Sequence, residues 1–101
     1  MIAQVWTITG QPGGQSDEER EWTQRVLDEA VSRDGVEANV VLGDPTTGQE
    51  LAITFFRDQA ALDAFEEFSS QKAAESEERS GGGLELTAHV YTDVMAAESG
   101  T

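Results

Sequence analysis

A chain of 101 residues is sized for one domain, and its twenty Asp and Glu against six Lys and Arg give a formal charge of −14. Such a field repels phosphate backbones and anionic lipid, so neither nucleic acid nor a membrane is an expected partner. The absence of cysteine excludes disulfides, thiolate metal sites and cysteine nucleophiles.

No apolar run approaches the roughly 20 residues of a membrane span. The opening MIAQVWTITG also lacks the basic segment of an export signal, so a cytoplasmic location is expected. IAQVWTIT (2–9) is rich in β-branched and aromatic residues and reads as the first strand. QPGGQ is a loop by its Pro-Gly-Gly. Ser16 then opens S-D-E-E, a capping box completed by Glu19, with acids suited to the positive end of a helix. That helix is predicted over 17–33, with Trp22, Val26, Ala30 and Val31 as its apolar stripe and Gly35 as a left-handed cap. VEANVVL (36–42) and ELAITFF (50–56) read as strands two and three around a Gly43–Gly48 hairpin loop. Asp58 is the expected N-cap of a second helix whose Ala61, Leu62, Phe65 and Phe68 recur at helical spacing. Beyond Phe68, SSQKAAESEERSGGG is either a polar continuation of that helix or a loop, and Gly81–Gly83 interrupts it. LELTAHVYTDV (84–94) alternates strictly and reads as the fourth strand; 96–101 is expected to be a flexible tail after a single domain over 1–95.

The order β-α-β-β-α-β is the split βαβ, ferredoxin-like α+β plan: an antiparallel four-stranded sheet with both helices on one face. The other face is left bare. By alternation within each strand, Trp6, Asn39, Val41, Thr54, Phe56, His89 and Tyr91 are assigned to that bare face, and the more uniformly apolar Val5, Val40, Leu42, Ile53, Phe55, Leu86, Ala88 and Val90 to the helices. An exposed apolar sheet predicts a two-fold homodimer built through it.

Pro12-Gly13 after the first strand, Gly35 before the second, V-x-x-D-P at Val41–Pro45 and F-x-D-x-x-A-L-x-A-F from Phe56 to Phe65 together resemble the dimeric α/β-barrel superfamily, in particular its antibiotic-biosynthesis-monooxygenase-like domains. The resemblance spans nearly the whole chain. It implies a dimeric barrel and, as one activity among several in the superfamily, cofactor-independent oxidation of polyketide quinols. The haem-degrading members use an Asn, a Trp and a His at positions that hold Trp6, Phe65 and Glu75 here, so no haem, and no other cofactor, is expected. The E-x-W and helix His of many monooxygenase-like members fall on Thr54, Phe56 and Phe65.

Two functions remain open on these residues. One is a dimer that binds a flat aromatic or polyketide-like ligand and oxidises it, with His89 as base, Tyr91 and Asn39 orienting oxygens, and Trp6 and Phe56 as water-excluding walls. The other is a non-catalytic dimerisation or ligand-binding module in which the same side chains fill an interface. Trp22 reads as core packing. One histidine and scattered acids do not make a metal site.

Overall fold

The computed structural model describes residues 1–10 and 15–97; the Pro12-Gly13 motif and the tail beyond residue 97 lie outside them. Its elements are β1 (Ile2–Thr9), α1 (Asp17–Val31), β2 (Val36–Asp44), β3 (Gln49–Phe56), α2 (Gln59–Arg79) and β4 (Glu85–Tyr91). The strands form one antiparallel sheet in the order β2-β3-β1-β4. This is the ferredoxin-like α+β arrangement predicted from the element order.

Local chemistry explains the boundaries. Ser16 Oγ accepts a hydrogen bond from the Glu19 N–H at 3.2 Å, and Asp58 Oδ1 accepts one from the Ala61 N–H at 2.9 Å, so both expected N-caps satisfy otherwise orphaned donors. The β2–β3 hairpin is closed by the Gly48 N–H donating to the Asp44 carbonyl at 2.8 Å, while Asp44 Oδ1 accepts from the Thr46 N–H at 2.9 Å. α1 stops at Val31 with Ser32 as its C-cap, two residues short of the predicted end. Gly35 is therefore not the cap itself; it lies in the turn into β2 at φ 83°, where a Cβ would collide with the Ala61 Cβ. The polar run after Phe68 is helical as far as Arg79, and Gly81 and Gly82, both at positive φ, end it. β4 is shorter than the alternating pattern, ending at Tyr91.

The assignment of faces is corrected by the register. Partners across an antiparallel ladder share a face, and Trp6 pairs with Ala88 and Ala52, whereas Val5 pairs with His89 and Ile53. Trp6, Asn39, Val41, Thr54 and Phe56 do share one face, but it is the face under the helices. His89 and Tyr91 lie on the opposite face with Val5, Val40, Leu42, Ile53 and Phe55. In β2 a register shift between Val36 and Ala38 lets Val36 and Asn39 point to the same side, which turns Asn39 inward. Uniform apolarity marked the wrong face in β1, β2 and β3, because a sheet surface left bare by the helices is as apolar as a core; in β4 the expectation holds, with Leu86, Ala88 and Val90 under the helices and His89 and Tyr91 on the bare face.

The core is concentrated at one end of the sheet–helix layer. Ala30, Phe56, Ala61, Leu62, Phe65 and Phe68 are buried together, and the Phe56 and Phe65 rings meet edge-on with centroids 5.1 Å apart. Each such ring contributes about 1.5–3 kcal/mol on burial. A polar chain then crosses the layer: Trp6 Nε1–H donates to Ser69 Oγ at 2.7 Å, and the Ser69 hydroxyl donates to Gln4 Oε1 at 3.0 Å. Ser69 thereby ties α2 to β1 in the middle of the sheet. Ser69→Ala should lower stability by about 1–3 kcal/mol in urea titration, because it strands the buried Gln4 oxygen and the indole N–H; a neutral substitution would show that this chain does not pin the helix.

Candidate functional site

Helix α2 presents large side chains to the sheet along its first half and small ones along its second. Leu62, Phe65 and Phe68 give way to Ser69, Ala73 and Ser76, and β3 lines the same space with the small Ala52 between Glu50 and Thr54. A cavity of about 110 Å³ remains between sheet and helices. Left as a void it would cost roughly 2–3 kcal/mol at ~24 cal/mol per Å³, an upper bound for a cavity partly open to solvent.

Two indoles border this space, Trp6 from β1 and Trp22 from α1. Trp22 was expected to be core packing; it is half-buried on the cavity wall, with the Arg79 guanidinium 4.9 Å from its ring centre. Asn39 and Thr54 face in from adjacent strands, the Thr54 hydroxyl donating to Asn39 Oδ1 at 3.2 Å. The Lys72 stem also contributes wall, while its ammonium reaches Glu75 at 3.1 Å and Glu29 at 3.7 Å.

The group that sequence reasoning passed over is Glu50. It begins the inward-facing series Glu50, Ala52, Thr54, Phe56 on β3, and its position at the start of a strand made it look like a solvated end. In the structure it lines the cavity beside Gln15 and Thr23, and Gln15 Nε2 donates to its Oε2 at 3.4 Å. Burial, and secondarily the nearby Glu19 charge, raise its carboxyl above the ordinary value, with the Gln15 hydrogen bond opposing them. The alternating parity of β3 was the available signal. The same Gln15, Thr23, Leu27 and Glu50 also border a wider polar surface groove.

Of the five residues expected to form a site, the structure brings Trp6 and Asn39 to the cavity. Phe56 is fully buried in the neighbouring core and does not reach the cavity wall. His89 pairs with Val5, next to Trp6 in the register, but it and Tyr91 lie on the outer face of the sheet, away from the cavity, where their rings lie 4.7 Å apart. Among the described residues no cluster of three or more His, Asp or Glu could hold a metal ion, and no helix is long and apolar enough to cross a membrane.

Fold and cavity together define a ferredoxin-like α+β domain with a small, aromatic-walled pocket between its layers. The chain is similar in structure to a candidate antibiotic biosynthesis monooxygenase from Deinococcus radiodurans, with TM-score 0.66, 15% identity and 98% of each chain covered. It is also similar to Rv0793 from Mycobacterium tuberculosis, with TM-score 0.65, 15% identity, and 97% of this chain and 100% of that one covered. At this identity the likeness is one of fold. No protein-family model matches the chain, and no curated protein matches its sequence.

A raised folded-state value means that Glu50 favours the fold in its protonated form. That contribution is full below the ordinary value of 4.5 and is lost as pH rises through the folded value. Glu50→Gln should therefore raise the stability at about pH 7, by less than about 1 kcal/mol because solvent screens a half-buried group, and with it the melting temperature. The gain should vanish in scans run below the ordinary carboxylate range. A stabilisation that persists there would point to packing instead of charge.

Proposed function

We propose that the protein binds a flat aromatic molecule in the cavity between sheet and helices and that it does so as a homodimer. The observation that carries this reading is the cavity itself: a space of about 110 Å³ held open between Trp6 and Trp22. The space is smaller than the engineered cavity of about 150 Å³ that takes benzene, so a ring seated here uses the cavity's opening to solvent as well, with any larger polyketide-like framework continuing toward the Glu50 groove. Two indole walls suit a ring ligand, and inward polar groups are few, which is the usual make-up of a small-molecule site. The chemistry we propose is cofactor-independent oxidation of a quinol-like substrate by dioxygen, in which one oxygen atom enters the ring as a hydroxyl, the two ring hydroxyls become carbonyls and the second oxygen atom leaves as water; it is supported by the description of the D. radiodurans structure as a candidate monooxygenase. In it, the indoles shield the ring from water and Asn39 orients an oxygen.

The dimer reading is supported by the outer sheet face. No helix covers it, and Val40, Leu42 and Tyr91 remain 40%, 50% and 50% exposed. In a chain with twenty acidic residues, the central outward positions Val5, Thr7, Val40, Leu42, Leu51, Ile53, Phe55 and Thr87 include none; Asp44 and Glu85 sit at strand ends. A face kept free of charge suits a second copy of itself. His89 and Tyr91 belong to this seam in our reading, in place of the catalytic roles that alternation had suggested. The alternative of a non-catalytic dimerisation module rests on the same face.

Ala73→Phe tests the pocket by filling it from α2. The substituted chain should stay folded and lose the ligand-induced rise in melting temperature that 4-methylphenol gives the parent chain; an undiminished rise would place the ligand elsewhere. Light scattering should give twice the 10.9 kDa chain mass, and Leu42→Asp should halve it. A parent chain that stays monomeric at micromolar concentration would remove the dimer.

A further inference from the structure

The cavity's polar groups are not equivalent. At its inner side, Asn39 Oδ1 is occupied by the Thr54 hydroxyl, which leaves the Asn39 amide N–H pair as a donor. Toward the groove the only carboxylate on the wall among the described residues is Glu50. Its one hydrogen bond among the described residues is the 3.4 Å contact from Gln15, long for an N–H···O bond. An ionised carboxylate has about four acceptor sites, so most of its capacity is unused. Lys72, the only lysine in the chain and the only cation on the wall, is engaged by Glu75 and Glu29 instead. Thr54 and Glu50 are four residues apart on one strand, about 14 Å at ~3.4 Å per residue, so a donor side and an acceptor side flank the space where a ring would lie.

We propose that Glu50 is the specificity-determining acceptor of this pocket, taking a hydrogen bond from a hydroxyl carried by the ligand's aromatic ring. The inference rests on the ligand-binding reading above and narrows it to hydroxylated aromatics. Ring carboxylates are rejected, because they would meet Glu50, Glu19 and the acidic field of the whole chain. Ring ethers are accommodated by shape but leave Glu50 without a donor. A carboxylate left unpaired by its ligand discriminates more strongly than a missing methyl group does, since a site built to hold a donor penalises the ligand that lacks one.

The test compares 4-methylphenol with its methyl ether, 4-methylanisole, by NMR titration of the full chain, following the Trp6 and Trp22 indole N–H signals. The phenol should bind about tenfold more tightly, the size expected for one hydrogen bond to a charged group. Glu50→Leu should bring the phenol down to the affinity of the ether and leave the ether unchanged. Glu50→Gln, which keeps the shape and a neutral acceptor, should fall between, and it carries the test if the leucine variant does not fold. Equal affinities in the parent chain, or a preference that survives both substitutions, would overturn the role of Glu50 while leaving the pocket intact. Tighter binding of 4-methylbenzylammonium than of the phenol would overturn the hydroxyl class in favour of an ion pair. Failure of every ring compound to move either indole would remove the pocket and the acceptor together.

Discussion

The grip of α2 on the sheet determines both what is solid and what is hollow in this protein. Its first turns drive Leu62, Phe65 and Phe68 against Phe56, and the Trp6–Ser69–Gln4 chain fixes the helix over β1 at mid-length. Past that point the helix cannot approach the sheet more closely, because its axis is already set by the aromatic cluster. Its small inward residues Ala73 and Ser76 then leave a space that no neighbour fills. A fold of this size gains only about 5–15 kcal/mol in total, so an unfilled volume worth up to roughly 2–3 kcal/mol is a substantial concession to keep a pocket.

Charge is distributed around the same two layers. Most of the acids lie on exposed helix faces, and Arg57, in the turn from β3 to α2, pairs with Asp34 of the α1–β2 turn and with Asp58 at 3.5 Å each; these contacts are solvent-exposed and contribute little to stability. The consequential placements are the exceptions. Glu50 is turned into the cavity, and the middle of the outer sheet face carries no carboxylate. One exception gives the pocket a single polar preference. The other leaves a surface that self-repulsion would otherwise forbid from meeting its copy.

Much of the architecture was legible in the residues. β1 coincides with the predicted 2–9 span, both N-caps are the expected Ser16 and Asp58, and the grouping of Trp6, Asn39, Val41, Thr54 and Phe56 on one face is correct. Those features depend on chemistry within a few residues. The side of the sheet to which that group belongs was not legible, because it depends on where the helices dock. Nor was the relation of β1 to β4: each strand alternates cleanly, but only the Trp6–Ala88 pairing shows that Trp6 does not share the bare face on which His89 was expected and is found. Glu50 escaped notice for a related reason. A glutamate at the first position of a strand looks solvated until Gln15, just before α1, and Thr23 of α1 are seen beside it.

The most direct test of the claim that the tapered half of α2 creates the ligand site is a crystal structure of the chain soaked with 4-methylphenol. The account predicts density for one ring between Trp6 and Trp22, beside Ala73, with its hydroxyl toward Glu50. An empty cavity with the ring bound instead on the outer face, against His89 and Tyr91, would contradict it.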